Sequence, residues 1–256
     1  MTEQACGAVS ASVARRLLTI DRGNSTLDCR LLGPLGTRRA RLADEAAVDG
    51  FLAGEAPDRV AAVTVVPGGL DDLRARFERE GTPFRVAGVE LGCPLRLSYP
   101  EPATLGSDRW VGAVAAWQRF GDAVVVDCGT AWTCNLVRAD GVFLGGSIGA
   151  GLTTMAVGLA GRAPGLPRFD GVAPEGIPAV TTQDAVRIGI GLGFVRMVES
   201  VSHELAGIAG LGDAVRVLTG GEAGAFLELG GRGFVHVPDL IHEGLAWLDA
   251  QHASRS

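Results

Sequence analysis

The sequence contains no lysine, because all 23 residues of the lysine and arginine class are arginine. This absence excludes three kinds of site: a P-loop lysine, the strand lysine of protein kinases and a Schiff-base lysine. Any nucleotide phosphate that the chain binds must therefore be held by backbone amides, hydroxyl groups, a metal ion or arginine.

Long apolar runs and basic blocks are also missing. The longest apolar stretches, such as AVVV before Asp127, are the length of a strand and too short to cross a bilayer. The first residues show no basic region followed by an apolar one, so we expect residues 1–15 to be a disordered lead-in and not a secretory signal. With a net charge of −6 and no arginine-rich block, we expect neither nucleic acid nor a membrane as partner.

The five cysteines form no CxxC pair, and their number is odd. A disulfide framework and a zinc ribbon are therefore not expected, and a reducing cytoplasm is the predicted location. We interpret the cysteines as small core residues or surface thiols. They are Cys6, Cys29, Cys93, Cys128 and Cys134.

The composition and the order of patterns indicate an α/β protein. The chain has 256 residues, of which 47% are hydrophobic and 20% charged, as in globular proteins. Strand-like and helix-like periodicities alternate along it. The predicted elements are a hairpin over 17–32, strands over 59–69 and 83–89, a strand–turn–strand pattern within 122–146 with a further turn at 139–141, a strand–turn–helix over 214–229, and helices over 71–80, 107–120, 181–208 and 238–251.

An internal repeat is the most informative pattern. Asp21 opens the turn DRGNS and Asp127 opens the turn DCGT, 106 residues later. Each turn follows an apolar strand and precedes a second strand, which predicts two similar halves with their turns at a shared cleft.

These turns have the chemistry of a phosphate site. Glycine lets backbone N–H groups approach phosphate oxygens, and an aspartate can hold a metal ion or its water shell. Either turn alone could be an ordinary β-turn, but the two in matching contexts favour phosphate binding. Thr219-Gly220-Gly221, after another strand, suits a nucleotide base or ribose, or simply a tight strand-to-helix turn.

A third group of candidates is the stretch YPEPATLGSDRW. Asp108 lies at a helix start behind Gly106, where a carboxylate could act as a general base toward a hydroxyl nucleophile. Arg109 could hold a carboxylate or phosphate. The alternative interpretation is a helix cap, by Ser107 or Asp108, followed by an exposed arginine.

Together these motifs resemble the type III pantothenate kinases, a family of the actin, hexokinase and heat-shock-chaperone ATPase superfamily. The resemblance covers about residues 16–248. It is carried by the ordered motifs DRGNST, TVVP, YPEPATLGSDR, VVVDCGTAWT, GGSIGAGL, TTQDAVRIG and LTGGEA.

The resemblance implies a fold and a reaction. It implies two ribonuclease-H-like halves, over 16–117 and 118–249, in a homodimer. It implies ATP-dependent phosphorylation of pantothenate, the first step of coenzyme A synthesis, with Mg²⁺ and a monovalent cation, K⁺ or NH₄⁺.

The resemblance also implies roles for individual residues. Asp108 matches the base that takes the proton of the primary hydroxyl, and Asp127 matches a monovalent-cation ligand. Thr182 matches a pantothenate contact supplied by the neighbouring subunit. The remaining matches are pantothenate contacts at Tyr99, Gly106, Ser107 and Arg109, and ATP or Mg²⁺ contacts at Asp21, Gly23, Asn24, Ser25, Thr26, Thr130, Gly220 and Gly221.

The sequence departs from the family pattern at Arg22, Asn135, Ala150 and Ile188, and the first two are expected near the phosphates and the cation. The sequence also allows two other functions, a sugar kinase of the same superfamily and a regulatory pseudo-kinase without turnover. The stretch YPEPATLGSDRW offers few polar groups for a sugar, and the intact aspartates speak against a pseudo-kinase.

The predicted helix 181–208 carries Gly189 and Gly193 four residues apart, which predicts a smooth face for helix contact across a two-fold axis. The alternative is that the glycines of this helix pack against the sheet of their own subunit.

Overall fold

A computed structural model of the protein describes residues 16–34 and 36–255. It forms two compact units. The first unit comprises the chain up to Cys93, Gly106–Val111 and the chain from Ile241 onward, and the second comprises Pro94–Leu105 and Gly112–Leu240. The lead-in predicted for residues 1–15 lies outside the described residues. The predicted domain boundary between residues 117 and 118 stays a prediction. In the structure, the last helix of the chain belongs to the first unit.

The first unit contains a five-stranded sheet in the order β3-β2-β1-β4-β5. The strand β1 pairs antiparallel with β2 and parallel with β4, and this confirms the predicted hairpin. The strands are β1 Leu17–Arg22, β2 Leu27–Gly33, β3 Gly36–Leu42, β4 Arg59–Thr64 and β5 Phe84–Val86, and two helices follow β3 and β4, α1 Ala47–Leu52 and α2 Asp71–Arg79.

The two faces of this first sheet are covered differently. On β1, Leu18 and Ile20 point to a core that also contains Val48 of α1 and Phe77 of α2. Because side chains alternate along a strand, Thr19 and Asp21 point to the other face. That face carries the last helix of the chain, which is described below.

The second unit repeats the same sheet with one strand added. Its order is β11-β10-β7-β8-β9-β6, and β7 pairs antiparallel with β8 and parallel with β10, as β1 does with β2 and β4. The strand β7 begins and ends 106 residues after β1, so the sequence repeat is confirmed in the structure. The strands are β6 Arg96–Leu97, β7 Ala123–Cys128, β8 Ala131–Val137, β9 Val142–Ala150, β10 Val215–Thr219 and β11 Val235–His236.

The remaining helices include the predicted one over 107–120, which the structure places at the same residues. None of the helices in the described part of the chain has both the length and the apolar character that a bilayer span requires. The helices are a 3₁₀ turn at Pro102–Thr104, then α3 Ser107–Phe120, α4 Leu152–Arg162, α5 Thr182–Val186, α6 Gly193–Ile208, α7 Ala223–Glu228 and α8 Leu240–Ala253.

The predicted continuous α-helix over 181–208 is corrected in one respect. A π-helical segment, Arg187–Leu192, separates α5 from α6. Gly191 is buried there, and a Cβ at this position would lie 3.1 Å from the ring of Phe169 and 3.2 Å from Leu229. Gly189 is exposed and Gly193 is half-buried, so the expectation that they share a smooth face stays a prediction, although the α-helical period on which it was based is interrupted.

Candidate active site

The tip of the first hairpin is a tight turn at the carboxyl end of β1. The backbone N–H of Gly23 donates to the carbonyl of Thr26 at 3.1 Å, and Asn24 and Ser25 between them are exposed. Asp21 precedes the turn and is half-buried. The turn thus presents polar side chains and backbone at one sheet edge, as the phosphate-loop prediction requires.

Arg22 lies in this turn but on the other face. Successive strand residues point to opposite sides of a sheet, so Arg22 is directed away from the face of Asp21. Its Nη1 donates to the carbonyl of Gly23 at 2.7 Å. The departure from the family pattern at residue 22 therefore leaves the face of Asp21 unchanged.

Asp28, opposite Asp21 in the hairpin, is buried in a network of basic groups. His242 of α8 lies 3.2 Å from its Oδ1, and Arg39 donates to both carboxylate oxygens at 3.1 and 3.0 Å. Burial alone would raise the pKa of Asp28, but the hydrogen bonds from His242 and Arg39 outweigh it and hold that pKa well below its usual range. Asp28 is therefore a structural anion beside the turn.

The start of α3 is tied to the same edge of the first sheet. Arg22 and Thr64 are partners in the parallel pairing of β1 and β4, and the hydroxyl of Ser107 donates to the carbonyl of Thr64 at 3.1 Å. Gly106 leaves room for the next carboxylate, since a Cβ there would lie 2.7 Å from Oδ1 of Asp108. The structure thus brings Gly106, Ser107 and Asp108 to the edge where β1 ends.

Asp108 is held by the backbone and is half-buried. The N–H of Arg109 donates to its Oδ1 at 2.8 Å. Burial raises the pKa of Asp108, and the hydrogen bond and charge of Arg109 offset this only in part. A desolvated carboxylate with a raised pKa is what a general base requires. Arg109 is only 8% exposed, so the alternative interpretation is wrong in making this arginine exposed, while its helix cap stays a prediction.

The corresponding turn of the second unit is built by close backbone approach. Gly220 has a φ of +94°, and a Cβ there would lie 2.2 Å from Oδ1 of Asp127. The carbonyl of Thr130 accepts the backbone N–H of Gly151 at 3.0 Å and the hydroxyl of Thr154 at 2.6 Å. The structure therefore brings the predicted residues Asp127, Thr130 and Gly220 together, next to the start of α4.

Glu222 holds this site together and was not predicted as a functional residue. Its backbone N–H donates to the carbonyl of Cys128 at 2.7 Å. Its carboxylate accepts the first backbone N–H groups of α4, from Leu152 at 2.8 Å and Thr153 at 3.0 Å. A carboxylate at a helix N-terminus is stabilised by the helix dipole. The motif LTGGEA did contain this signal, because Glu222 follows the two glycines directly.

Two further predicted positions lie in the second unit, on or beside its sheet. The ring of Tyr99 packs at 6.0 Å, centroid to centroid, from Phe143. Asn135 is 1% exposed, and its amide donates at 3.1 Å to the hydroxyl of Thr133, the residue opposite Asp127 in the strand pairing. Asn135 thus lies on the same face of the sheet as Asp127 and holds the hydroxyl of Thr133 beside it.

Thr182 begins α5 and is exposed. The hydroxyl of Thr181 accepts the N–H of Asp184 at 3.1 Å and caps this helix. Arg187 bridges Asp184 at 3.0 Å and Asp170 at 2.7 Å, which fixes the preceding loop beside Thr182. The predicted site residues thus divide between the units: the DRGNST and GSDR residues lie in the first, and Tyr99, Asp127, Thr130, Thr182, Gly220 and Gly221 in the second.

The described residues contain no group of three His, Cys, Asp or Glu side chains that could hold a metal ion. The cysteines they contain are free, and Cys29, Cys128 and Cys134 are buried. Burial raises the pKa of Cys29 to about 12, so this thiol stays protonated. The predicted role of these three as core residues is confirmed, and Cys6 lies outside the described residues.

Known proteins resemble the chain in sequence and in fold. A model of the type III pantothenate kinase family matches residues 17–204. Enzymes named type III pantothenate kinase are 34% identical over 252 residues in Rhizorhabdus wittichii and 32% identical over 255 residues in Thermobifida fusca. The first alignment covers 90% of this chain and 95% of the relative, and the second 91% and 98%. One from Nitrosococcus oceani is 39% identical over 161 residues, 60% of each protein.

Two solved structures share the fold at low sequence identity. A Baf family protein from Campylobacter jejuni superposes with a TM-score of 0.58 at 20% identity, over 93% of this chain and 99% of that one. The activator of the 2-hydroxyisocaproyl-CoA dehydratase from Clostridium difficile, with bound ADPNP, gives 0.52 at 12% identity, over 94% and 97%. The predicted fold class of two ribonuclease-H-like halves is confirmed. From the match of the family model and of relatives along nine-tenths of its length, the chain belongs to the type III pantothenate kinase family.

Proposed function

We propose that this protein transfers the γ-phosphoryl group of ATP to the primary hydroxyl of pantothenate, giving 4′-phosphopantothenate for coenzyme A synthesis. The observation that supports this most directly is Asp108, a half-buried carboxylate with a raised pKa at the start of α3. As the substrate oxygen attacks phosphorus, Asp108 accepts its proton. Phosphoryl transfer otherwise depends mainly on positioning and on neutralising charge.

The ATP site in this proposal uses both turns. The N–H groups and hydroxyls of Gly23, Asn24, Ser25 and Thr26 bind phosphate oxygens in the first unit. Thr130 contacts the phosphates in the second unit, and Gly220 and Gly221 offer bare backbone to the nucleoside. The close packing of Gly220 on Asp127 supports this role, because any side chain at residue 220 would collide with that carboxylate.

Bound Mg²⁺ and a monovalent cation are proposed to supply positive charge at the phosphates, where the chain has no lysine to supply it. Since the described residues form no cage of three ligating side chains, they fit Mg²⁺ bound mainly by ATP phosphates and water, with Asp21 as a contact through that shell. Asp127 is proposed as a ligand of a monovalent cation, K⁺ or NH₄⁺. Bound cations neutralise the charge of the transferred group, which lysine does in other kinases.

The pantothenate site is proposed around the start of α3. Buried Arg109 would hold the substrate carboxylate, Gly106 and Ser107 would line the backbone side, and Tyr99 would contact the substrate with its ring. Thr182 would contribute from the neighbouring subunit of a homodimer. We place the enzyme in the cytoplasm, in keeping with its use of ATP and its free cysteines.

A coupled assay tests the function. The purified protein is supplied with ATP and Mg²⁺, with pantothenate or a hexose, and with K⁺, NH₄⁺ or only Tris as the monovalent cation. We expect ADP release that requires pantothenate and rises with K⁺ or NH₄⁺. Release that requires the hexose would assign a sugar kinase, and no release under any condition would assign a pseudo-kinase. Equal pantothenate-dependent rates in Tris and in K⁺ would refute the proposed role of Asp127 as a cation ligand and would leave the proposed kinase activity standing.

A further inference from the structure

The last helix, α8, lies beyond the residues that the family model matches, yet it is part of the first unit. Residues from Ile241 onward share that unit with Gly106–Val111, the segment that carries Asp108. The helix is buried over a wide arc that runs from His242 through Leu245 and Leu248 to Gly244, nearly on the opposite side. Burial of this breadth means that α8 contacts more than one element.

One side of α8 is bound to the first sheet by polar contacts. His242 and Asp249 are seven residues apart and therefore lie on one helix face, two turns from each other. Nδ1 of His242 lies 2.8 Å from the hydroxyl of Thr19, and its Nε2 contacts Asp28. Asp249, 0% exposed, pairs with Arg59 and, at 2.6 Å, with Arg85.

The opposite side of α8 touches α3 backbone to backbone. Gly244 lies about 200° around the helix from His242. A Cβ on Gly244 would lie 2.4 Å from the carbonyl oxygen of Val111 and 2.9 Å from its Cγ1. No rotation of a side chain can relieve a clash with a backbone oxygen, so only glycine allows this separation.

Val111 is three residues after Asp108, on the neighbouring helical turn. A displacement of Val111 is therefore transmitted to Asp108, because an intact helix moves as a unit. We infer that α8 is a spacer of fixed thickness that sets the position of Asp108 relative to the edge of the first sheet, and that Gly244 is the positioning residue at this contact. The inference rests on the proposed role of Asp108 as base.

The test compares Gly244→Ala with a matched control, Gly50→Ala in α1. Gly50 is exposed, and a Cβ there would meet nothing within 4 Å. We expect Gly244→Ala to lower kcat by about 10–100-fold, since misplacement by about 1 Å has effects of that order. The KM for ATP should stay unchanged, and Gly50→Ala should behave as wild type.

The pH profile separates positioning from loss of folded protein. A partly unfolded preparation has fewer active molecules but the same acidic limb of kcat against pH. A shift of α3 away from α8 exposes Asp108 to water, so the limb of Gly244→Ala should move to lower pH. A wild-type kcat and an unmoved limb in Gly244→Ala would overturn the inference.

A second variant decides the case in which Gly244→Ala does not fold. His242→Gln removes the imidazole between Thr19 and Asp28 without adding bulk, so it loosens α8 on the sheet side. We expect His242→Gln to show the same two changes, a lower kcat and an acidic limb at lower pH. A wild-type kcat and a wild-type limb in this variant would overturn the inference. Asp108→Asn is measured alongside: if it keeps normal turnover, the proposed base is wrong, whatever Gly244→Ala does.

Discussion

Asp21 and Asp28 lie directly opposite each other in the pairing of β1 and β2, so their two carboxylates share one face of the first sheet. Like charges in this arrangement repel and destabilise a hairpin. At Asp28 the structure offsets the repulsion through His242, Arg39 and Arg41. The site therefore depends on interactions made behind the turn as well as in it.

Asp28→Asn should destabilise the protein at neutral pH, by about 1–3 kcal/mol, because the basic groups around it lose their anion. The lowered pKa of Asp28 means that its contribution is present above the unfolded value of about 3.9 and is lost as the pH falls toward the lower folded pKa. Urea unfolding of both proteins from pH 7 to pH 3 measures this. The difference in unfolding free energy between the wild type and Asp28→Asn should become smaller as the pH falls toward 3.

The matched control for this measurement is Asp140→Asn. Asp140 forms ion pairs with Arg96 and Arg138, but all three side chains are largely exposed. Water and salt screen exposed ion pairs, which therefore contribute little to stability, so this variant should unfold almost as the wild type does. Equal losses in the two variants would contradict the structural role of Asp28.

Asp108→Asn should abolish most turnover, by about 10²–10⁴-fold, because an amide cannot accept the substrate proton. It should also raise the melting temperature. Burial raises the pKa of Asp108, so at neutral pH the native state carries a carboxylate in an unfavourable place, and asparagine removes that cost. Turnover and thermal unfolding at pH 7 test both effects. Near-normal turnover would refute the assignment.

The pH dependence of catalysis should show the same group. Only ionised Asp108 can act as a base, so kcat/KM for pantothenate should fall as the pH is lowered through its pKa. Since that pKa is raised, the limb should lie above the value of about 3.9 that is usual for aspartate. Rates between pH 4 and pH 9 locate the limb. A limb at or below the usual value would show that Asp108 is solvated.

Glu222→Ala should weaken ATP binding and spare pantothenate binding. The carboxylate of Glu222 joins the start of α4 to the turn that holds Asp127 and Thr130, and its loss leaves two backbone N–H groups without their acceptor. We expect the KM for ATP to rise by about tenfold, and by less in Glu222→Gln, which keeps one acceptor oxygen. Glu228→Gln, at an exposed position of α7, is the control. Equal rises in both KM values would indicate general damage.

Subunit mixing tests the predicted homodimer with shared sites. Asp108→Asn and Thr182→Ala proteins are combined after partial denaturation and refolding, with each variant refolded alone as control. If Thr182 acts in the neighbouring subunit's site, mixed dimers contain one site with both defects and one with neither, and activity returns. If it acts within its own subunit, no activity returns. A monomer by light scattering would refute the prediction directly.

The parts of this structure that could be predicted from sequence are those with local signals. The turns at Asp21 and Asp127 follow apolar strands, and the helix 107–120 has an apolar face, so pattern and structure agree. The helix interruption at Arg187–Leu192 could not be predicted, because the packing of Gly191 against Phe169 is a tertiary contact. The strand β3 was not predicted, because three of its seven residues are arginine and it has no apolar alternation, and the helix α4 was not predicted either.

The contacts around the candidate base were hidden for another reason. His242 and Asp28 are 214 residues apart, and nothing in either segment indicates its partner. The sequence motif predicted Asp108 at a helix start, but its burial arises from tertiary packing. The burial of Arg109 also arises from tertiary packing, because the local sequence is equally compatible with an exposed arginine.

Five strands of the second sheet, in the order β9-β8-β7-β10-β11, match the order β3-β2-β1-β4-β5 of the first, and β7 lies 106 residues after β1. The residue opposite the aspartate of each turn differs, because it is Asp28 in the first sheet and Thr133 in the second. His242 and Arg39 surround the second carboxylate of the first sheet, whereas the second sheet places a hydroxyl opposite its single carboxylate. One repeated architecture thereby carries two electrostatically different halves.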